Sequence, residues 1–331
     1  MISLILLFLC TLFSSYILIK IAIKMLLYFG VLDMPSKRRT HTNITPRGGG
    51  IALVIALTIC GSSFEYIISG SLIYSNKIGP IIYLISLVSF IDDIKTIPVI
   101  VRLMVHIFCA VSFVCIFIYP IFSYYDQLVL FFNILLLSLA LTAFLNIYNF
   151  MDGIDGITAV ESIHLTTTIL ILCLLKSECI VHIQFVVVIS ILICACSISF
   201  LSFNWPPAKI FIGDIGSISF GFLIGTCLLL ISTSSIDLLF AAVIASLYYL
   251  ADGGLTILIR LVNGEKIWRP HLKHFFQKAV KKGMPVEQII KQIIGCNMLL
   301  MLLSFSALYF PILSSFFALI TVTLTLYNFC R

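Results

Sequence analysis

The sequence predicts an all-α polytopic membrane protein, a bundle of about eleven transmembrane helices, or ten. Of its 331 residues, 61% are hydrophobic and only 10% are charged, and the mean hydropathy is +1.18. Ordinary globular domains carry about 25% charged residues. The chain also offers about eleven apolar runs, and each approaches the roughly 20 residues that a helix needs to cross the hydrocarbon core.

We expect one membrane domain over residues 1–331. The predicted spans are 2–29, 51–70, 78–91, 99–119, 127–147, 157–175, 183–201, 218–235, 237–259, 288–308 and 311–329. Five segments between or beside them are expected to form the catalytic face, and they are 30–50, 92–102, 146–156, 202–217 and 260–287.

The basic residues are distributed unevenly over this pattern. Only Lys77 and Lys176 of the 20 lysines and arginines fall on the side that also carries the N-terminus. The positive-inside rule therefore makes the other side cytoplasmic. We predict that the N-terminus lies outside, that the C-terminus lies in the cytoplasm, and that the active site faces the cytoplasm from a bacterial inner membrane.

Acidic side chains gather on the predicted cytoplasmic side, next to apolar spans. Asp92 and Asp93 directly follow the third span, and Asp152 and Asp155 lie among apolar neighbours. Solvated loop charge explains them poorly, because an unpaired charge beside the hydrocarbon is expensive. The pattern favours a site that uses carboxylates.

The segment NIYNFMDGIDG, residues 146–156, ends the fifth span. Asn146, Asn149 and Asp152 recur at every third residue, which on a helix places them on one side, where they can converge on one ligand. The glycines allow the backbone to approach a substrate closely. The alternative is an ordinary helix C-terminus followed by a glycine turn.

The segment FNWPPAKIFIGDIGS, residues 203–217, follows the seventh span. Its two prolines end the helix, so an irregular connection carries Lys209 and Asp214 to the next helix start. Exposed amides at a helix start suit phosphate, Lys209 adds a cation, and Asp214 is suited to a hard cation between phosphate oxygens. The alternative is a common aspartate–glycine turn.

Two further loops carry basic residues. Arg47 precedes three glycines, 48–50, and consecutive glycines permit the backbone approach that an anion site requires. In the loop 260–283, Arg269, His271 and His274 are candidate phosphate ligands, and the two histidines share a face if the segment is helical. Arg102 begins the fourth span beside the acidic pair. The alternative of topogenic charge attracted to anionic headgroups applies to the basic cluster Lys37, Arg38 and Arg39, which precedes Arg47.

Five blocks then occur in one order: TPRGGG, IDDIKT, NIYNFMDGIDGI, FNWPPAKIFIGDIGS and RPHLKH. In these blocks the chain resembles the polyprenyl-phosphate N-acetylaminosugar-1-phosphate transferases over roughly residues 33–283. The RPHLKH block departs from the histidine triplet of the peptidoglycan branch. Together with TPRGGG, it is more similar to the branch that initiates O-antigen or related surface polysaccharides.

The resemblance implies a Mg²⁺-dependent enzyme, with Mn²⁺ as a substitute, that uses undecaprenyl phosphate and a UDP-N-acetylaminosugar. We expect membrane lipid as a partner and expect no nucleic acid partner. The sequence leaves open whether the protein forms a homodimer. Residue patterns and resemblance together predict three sets. The catalytic residues are Asp92, Asp93, Asp152, Asp155 and His271. The substrate-binding residues are Asn146, Asn149, Lys209, Arg47, Arg102, Arg269 and His274. The metal ligands are Asp214 and Asp93.

Two alternatives remain open at the level of sequence. The resemblance suggests Asp92 as a base, yet a phosphate monoester with a second pKa of about 6 needs little base assistance. Direct attack and an aspartyl-phosphate intermediate both fit these residues. The rival function is a secondary transporter with an ion site, although carriers tend to place such ligands at the bilayer midplane in paired repeats.

Overall fold

A computed structural model describes residues 2–34, 44–122, 126–269 and 271–331. The structure is almost entirely helical, because long apolar segments satisfy their backbone polar groups internally. Its helices are α1 Ile2–Tyr28, α2 Gly50–Ser69, α3 Ile73–Ile94, α4 Val99–Phe113, α5 Tyr119–Phe122, α6 Gln127–Met151, α7 Ile157–Leu175, α8 Ile183–Asn204, α9 Gly213–Ser232, α10 Ile236–Ala245, α11 Leu247–Val262, α12 Phe275–Lys281, α13 Val286–Ser306 and α14 Pro311–Cys330. A π-helical turn, Val114–Ile118, joins α4 to α5.

The predicted all-α, multi-pass membrane class is confirmed. Over the described ranges, nine helices are long and apolar enough to cross a membrane, and the bent pair α10 and α11 makes up to ten. Helix α3, which contains the predicted span 78–91, is not among them; Asn76, Lys77 and Pro80 interrupt its apolar sequence. The number of spans and the sides on which the termini lie stay predictions.

Several predicted boundaries were wrong, and each shift affects the site. Helix α6 continues to Met151 instead of ending at 147, and α9 begins at Gly213 instead of 218. The predicted span 237–259 is two helices, which meet near Ser246 at a bend of 69°. Thus Asn149 is helical, Asp214 lies in the first turn of α9, and the chain changes direction inside the predicted ninth span.

Helix α9 is the centre of the bundle. Nearly all of its residues are buried, and α2, α3, α6, α7, α8 and α10 pack around it. Helices α1, α6 and α14 instead expose large apolar side chains, as expected where a protein faces lipid. A two-residue antiparallel ladder pairs β1, Leu32–Asp33, with β2, Thr45–Pro46. The basic cluster at 37–39 lies outside the described residues.

Candidate active site

Five charged residues from four segments form one cluster at the ends of the helices. We call Arg47, Asp92, Asp93, Arg102 and Asp214 the acid–arginine cluster. Arg47 precedes α2, the two adjacent acids end α3, Arg102 lies in the first turn of α4, and Asp214 lies in the first turn of α9. The central helix therefore begins where α2, α3 and α4 begin or end, and this arrangement joins residues far apart in sequence.

Asp93 is the buried anchor of the cluster. Its side chain is 0% exposed, and Arg47 Nε lies 2.9 Å from Oδ1. The amide of Asp214 donates to Oδ1 over 2.9 Å, and that of Ile215 donates to Oδ2 over 3.1 Å. Asp93 thus caps the N-terminus of α9, where a negative charge also complements the helix dipole.

Asp214 is more accessible and holds both arginines. Its side chain is 15% exposed; Oδ1 accepts from Arg47 Nη2 over 2.7 Å, and Oδ2 accepts from Arg102 Nη1 over 3.2 Å. Burial lowers the pKa of Arg47, but Asp214 and Asp93 raise it, so the net pKa lies above its ordinary value. The guanidinium stays charged and neutralises carboxylates that otherwise repel one another.

Asp92 and Arg102 form the outer pair of the cluster. Arg102 Nη1 is bonded to Asp92 Oδ2, and the amide of Ile97 donates to Asp92 Oδ1 over 2.7 Å. The buried Nε of Arg102 has no hydrogen-bond partner within the described part of the chain. A buried guanidinium nitrogen of this kind is a donor that an anionic ligand can satisfy.

The NIYNFMDGIDG segment does not present its polar side chains to one shared partner. The side chain of Asn146 pairs through Oδ1 with His106 Nδ1 of α4, at 3.2 Å, and its Nδ2 donates to the Thr142 carbonyl of its own helix over 2.7 Å. Ser217 of α9 donates to Asn149 Oδ1 over 2.6 Å. Drift around the helix thus directs the two asparagines to different neighbours, whereas the sequence analysis expected them to converge.

The two aspartates that follow α6 have different environments. Thr158 Oγ1 donates to Asp152 Oδ1 over 2.5 Å, and burial raises the pKa of Asp152 to about 6 despite that hydrogen bond. The amide of Ala208 donates to Asp155 Oδ2 over 2.9 Å. Asp155 therefore connects its loop to the segment before α9. The charge of Arg47 lowers the pKa of Asp152, and the charge of Asp93 raises it.

Asn204 is a structural residue of this site that the sequence analysis missed. Its Oδ1 accepts from the amide of Gly156 over 2.8 Å, and its Nδ2 donates to the carbonyl of Ile210 over 2.8 Å. One buried side chain thus joins the loop after α6 to the loop after α8. An asparagine at a helix end gave no signal of this role, because both partners are backbone groups in other segments.

The expected backbone anion sites are occupied by the protein itself. The amides of Gly48 and Gly49 donate to the Phe211 carbonyl, and that of Gly50 donates to the Ile212 carbonyl, at 2.7–3.2 Å. A Cβ on Gly50 would lie 2.3 Å from the backbone of Gly216. The glycines therefore permit close contact between α2 and α9. At the start of α9, Asp93 takes the two amides that were expected to bind phosphate.

The predicted basic and histidine residues lie in a second group, before α12. His271 and His274 precede the helix instead of sharing its face, and their rings stack 4.9 Å apart. Arg269 and His271 line a cavity of about 550 Å³ with Lys266, Lys273 and Lys281. Burial, His274 and Arg260 lower the pKa of His271 to about 4. Its imidazole is thus neutral at pH 7, and its Nδ1 accepts from the amide of Lys273.

The backbone of this loop is held by Arg260, which the sequence analysis also missed. Its side chain is buried and donates to the carbonyls of Lys266 and Ile267 at 2.8 and 2.9 Å. Lys209, by contrast, is exposed on the connection before α9, and its amide donates to the Phe203 carbonyl. Of the predicted substrate residues, Arg47 and Arg102 lie in the acid–arginine cluster, and Lys209 lies outside it.

The acid–arginine cluster fits a hard dication only in part. No group of three or more His, Cys, Asp or Glu side chains is arranged to hold a metal ion in the ranges that the structure covers. Mg²⁺ is usually held by one or two carboxylates, waters and substrate phosphates, so such a group is not required. Asp214 is partly exposed and suits this role. Asp93 does not, because its oxygens are buried and engaged by Arg47 and two amides.

Comparisons with known proteins show which proteins this chain is similar to. The model of the family described as glycosyl transferase family 4 matches residues 78–232. A probable undecaprenyl-phosphate N-acetylglucosaminyl 1-phosphate transferase of Bacillus subtilis (strain 168) is 26% identical over 86% of this chain and 79% of its own. A phospho-N-acetylmuramoyl-pentapeptide-transferase of Orientia tsutsugamushi (strain Ikeda) is 25% identical over 87% and 90%. A decaprenyl-phosphate N-acetylglucosaminephosphotransferase of Mycolicibacterium smegmatis is 28% identical over 60% and 52%.

The helices are long and apolar enough for a multi-pass membrane protein, and the family model and the relatives indicate an enzyme that transfers phosphosugars. The resemblance to the polyprenyl-phosphate N-acetylaminosugar-1-phosphate transferases that its motifs predicted is confirmed by these comparisons.

Proposed function

We propose that the chain transfers an N-acetylaminosugar-1-phosphate from a UDP-sugar to undecaprenyl phosphate. The acceptor phosphate oxygen forms a bond to the β-phosphorus of the donor, and the bond from that phosphorus to the bridging oxygen breaks. UMP leaves with the bridging oxygen, and the product is a polyprenyl-diphosphate-linked sugar. We further propose that this step initiates O-antigen or a similar cell-envelope polysaccharide.

The acid–arginine cluster is the observation that carries this proposal. Bringing a lipid phosphate to a diphosphate requires cations that reduce repulsion and hold an in-line geometry. Arg47 and Arg102 supply two fixed guanidiniums at the start of the central helix, and Arg102 Nε is an unused buried donor within the described residues. The arginines are positioned by the carboxylates, so little reorganisation is needed on binding.

Both acids of the adjacent pair act mainly through arginines in this proposal. Asp92 is bonded to Arg102 and to the amide of Ile97, so its oxygens are already engaged. Because an acceptor phosphate with a second pKa of about 6 is mostly dianionic near neutrality, Asp92 need not remove a proton. Its role is to hold Arg102 toward the phosphates. This assignment favours direct attack over an aspartyl-phosphate.

Magnesium is part of the proposal, with Asp214 as its protein ligand. The bound ion would neutralise charge on the donor diphosphate. Asp214 meets the requirement because it is partly exposed and lies beside both arginines. Asp152, Asp155 and the histidine group are proposed to surround the donor, on the cytoplasmic side that the basic loops predict.

A transfer assay tests the function directly. Purified protein is incubated with undecaprenyl phosphate, Mg²⁺ and separate UDP-linked donors, including N-acetylglucosamine, a 6-deoxy N-acetylaminosugar and muramoyl-pentapeptide, and the lipid product is identified by mass. We expect transfer from one of the first two donors and loss of transfer in Asp214→Asn. Asp237→Asn, in the first turn of α10, is the matched control and should keep activity.

Three results would contradict parts of the proposal. Efficient use of the pentapeptide donor would reject the assigned branch. Full activity of Asp214→Asn at limiting Mg²⁺ would move the metal away from Asp214. No transfer from any donor would reject the function and return attention to the transporter alternative, which the comparisons do not favour.

A further inference from the structure

Helix α11 carries a buried carboxylate that no step above uses. Asp252 is 0% exposed, although it lies in a segment apolar enough to form part of a membrane span. Its partners outside its own helix all belong to the short stretch His274–Phe276, while within α11 the Thr256 hydroxyl donates to Oδ1 over 3.5 Å. Its Oδ1 accepts from His274 Nδ1 over 3.1 Å and from the Phe275 amide over 3.0 Å, and Oδ2 accepts from the Phe276 amide over 3.3 Å.

These contacts fix both a side chain and a helix start. Of the three donors outside α11, two are backbone amides at the beginning of α12, which no earlier residue of that helix can satisfy. The third is the ring of His274, which is itself only 2% exposed. Because the carboxylate accepts a hydrogen bond from Nδ1, it sets the orientation of the imidazole and leaves Nε2 directed away from this contact.

The position of α12 matters because it touches the loop after α6. A Cβ placed on Gly153 would lie 2.9 Å from Gln277 Nε2 and 3.0 Å from the Phe276 ring. Gly153 is the neighbour of Asp152, so the start of α12 packs directly against the aspartate loop. His271 stacks on His274 and lines the basic cavity. The Asp252 carboxylate thus holds the start of α12, where the aspartate loop after α6 meets the histidine group.

We propose that Asp252 is a positioning residue for the transfer reaction, which acts through His274 and the first turn of α12 to hold the histidine group against the aspartate loop. The inference rests on the proposed function for its catalytic consequence. Its structural part, the anchoring of 274–276, is independent of any activity. Asp252 does not contact the reacting atoms in this assignment.

The structural part is tested by hydrogen exchange of the purified protein, read on peptides covering 274–281. Asp252→Asn keeps one acceptor oxygen and loses the charge and the second acceptor, so exchange at Phe275 and Phe276 should accelerate about tenfold or more. Charged hydrogen bonds are worth enough to protect by about 10- to 100-fold. The control Asp237→Asn should leave this peptide unchanged. Unchanged exchange in Asp252→Asn overturns the proposal.

The catalytic part is tested by a double-mutant cycle on the KM for the donor. Asp252→Asn should raise that KM about tenfold in the wild-type background, with a smaller change in kcat, and less than threefold in a His274→Ala background. A merely structural role would give the same factor in both backgrounds, and that result overturns the positioning role. If the wild-type protein transfers no donor, the proposed function fails, while the exchange experiment still decides the anchoring.

A second variant tests the same anchoring if Asp252→Asn folds poorly. Asp252→Glu keeps the carboxylate, so exchange at 274–281 should stay within about threefold of wild type, measured on monodisperse protein after size exclusion. Exchange as fast as in unfolded peptide for Asp252→Glu would show that a carboxylate at this position does not anchor α12, and would overturn the proposal.

Discussion

Replacing Asp93 by asparagine is expected to destabilise the protein more than replacing Asp214 by asparagine, although both acids belong to one cluster. The Asp93 carboxylate is fully buried and receives Arg47 Nε and two amides of α9. Asparagine retains one acceptor oxygen and places an NH₂ group at the position of either Oδ1 or Oδ2. Either the Ile215 amide or Arg47 then faces a donor instead of an acceptor.

The magnitude follows from these contacts. A buried N–H left without an acceptor costs about 1–3 kcal/mol, and a lost charge-assisted bond to Arg47 adds about 1–2 kcal/mol. Arg47 keeps Asp214 as a counter-ion, so the total should be about 3 kcal/mol, at the lower end of the cost of breaking a buried ion pair. At roughly 2 °C per kcal/mol, the Tm should fall by about 6 °C.

Thermal unfolding in detergent, followed by tryptophan fluorescence or thiol reactivity, measures this shift. Asp214→Asn is the comparison, because its side chain reaches solvent; it should lose transfer while its Tm changes by less than half as much. The reasoning is refuted if the Tm of Asp93→Asn equals that of the wild type, or if the Tm of Asp214→Asn falls as far as that of Asp93→Asn.

Three further predictions follow from other contacts. Gly50→Ala should cost about 1–3 kcal/mol, since its Cβ would meet the Gly216 backbone, whereas Gly295→Ala in α13, where nothing lies within 4 Å, should be neutral or stabilising by up to about 1 kcal/mol; thermal unfolding distinguishes them. Because burial raises the pKa of Asp152 to about 6, its contribution to stability is present at low pH and lost as the pH rises through 6. Asp152→Asn should therefore exceed the wild type in Tm at pH 8, with the difference shrinking below pH 6; a constant difference would contradict this. In a cysteine-free background, Lys273→Cys should be labelled only from the cytoplasm and Glu178→Cys only from outside, and external labelling at 273 would invert the predicted topology.

The membrane class and most helix positions could be predicted because hydrophobic length is a local property of sequence. The prediction 157–175 coincides with α7, and 311–329 differs from α14 by one residue. The bend between α10 and α11 could not be read in this way. The sequence around Ser246 contains neither proline nor glycine, so no local signal marked the break.

The types of residue in the site could be predicted from the sequence, but the contacts that each residue makes could not. The sequence indicated that Asp92, Asp93 and Asp214 are unusual, since each is a charge beside an apolar span. It could not show that Asp93 caps α9 while Asp214 faces the arginines, because these roles depend on contacts between segments more than one hundred residues apart. Asn204, Asp252 and Arg260 were missed for the same reason, as their partners are largely backbone groups elsewhere in the chain.

The contact between Gly50 and Gly216 has a mechanical consequence. With no side chain between them, the backbones of α2 and α9 are in close contact, and the hydrogen bonds from residues 48–50 to Phe211 and Ile212 hold the adjoining loops to the same unit. The arginine-bearing side of the site is therefore a fixed platform. In the proposed reaction, movement that admits the donor is therefore expected at the start of α12, which the side chain of Asp252 holds in place.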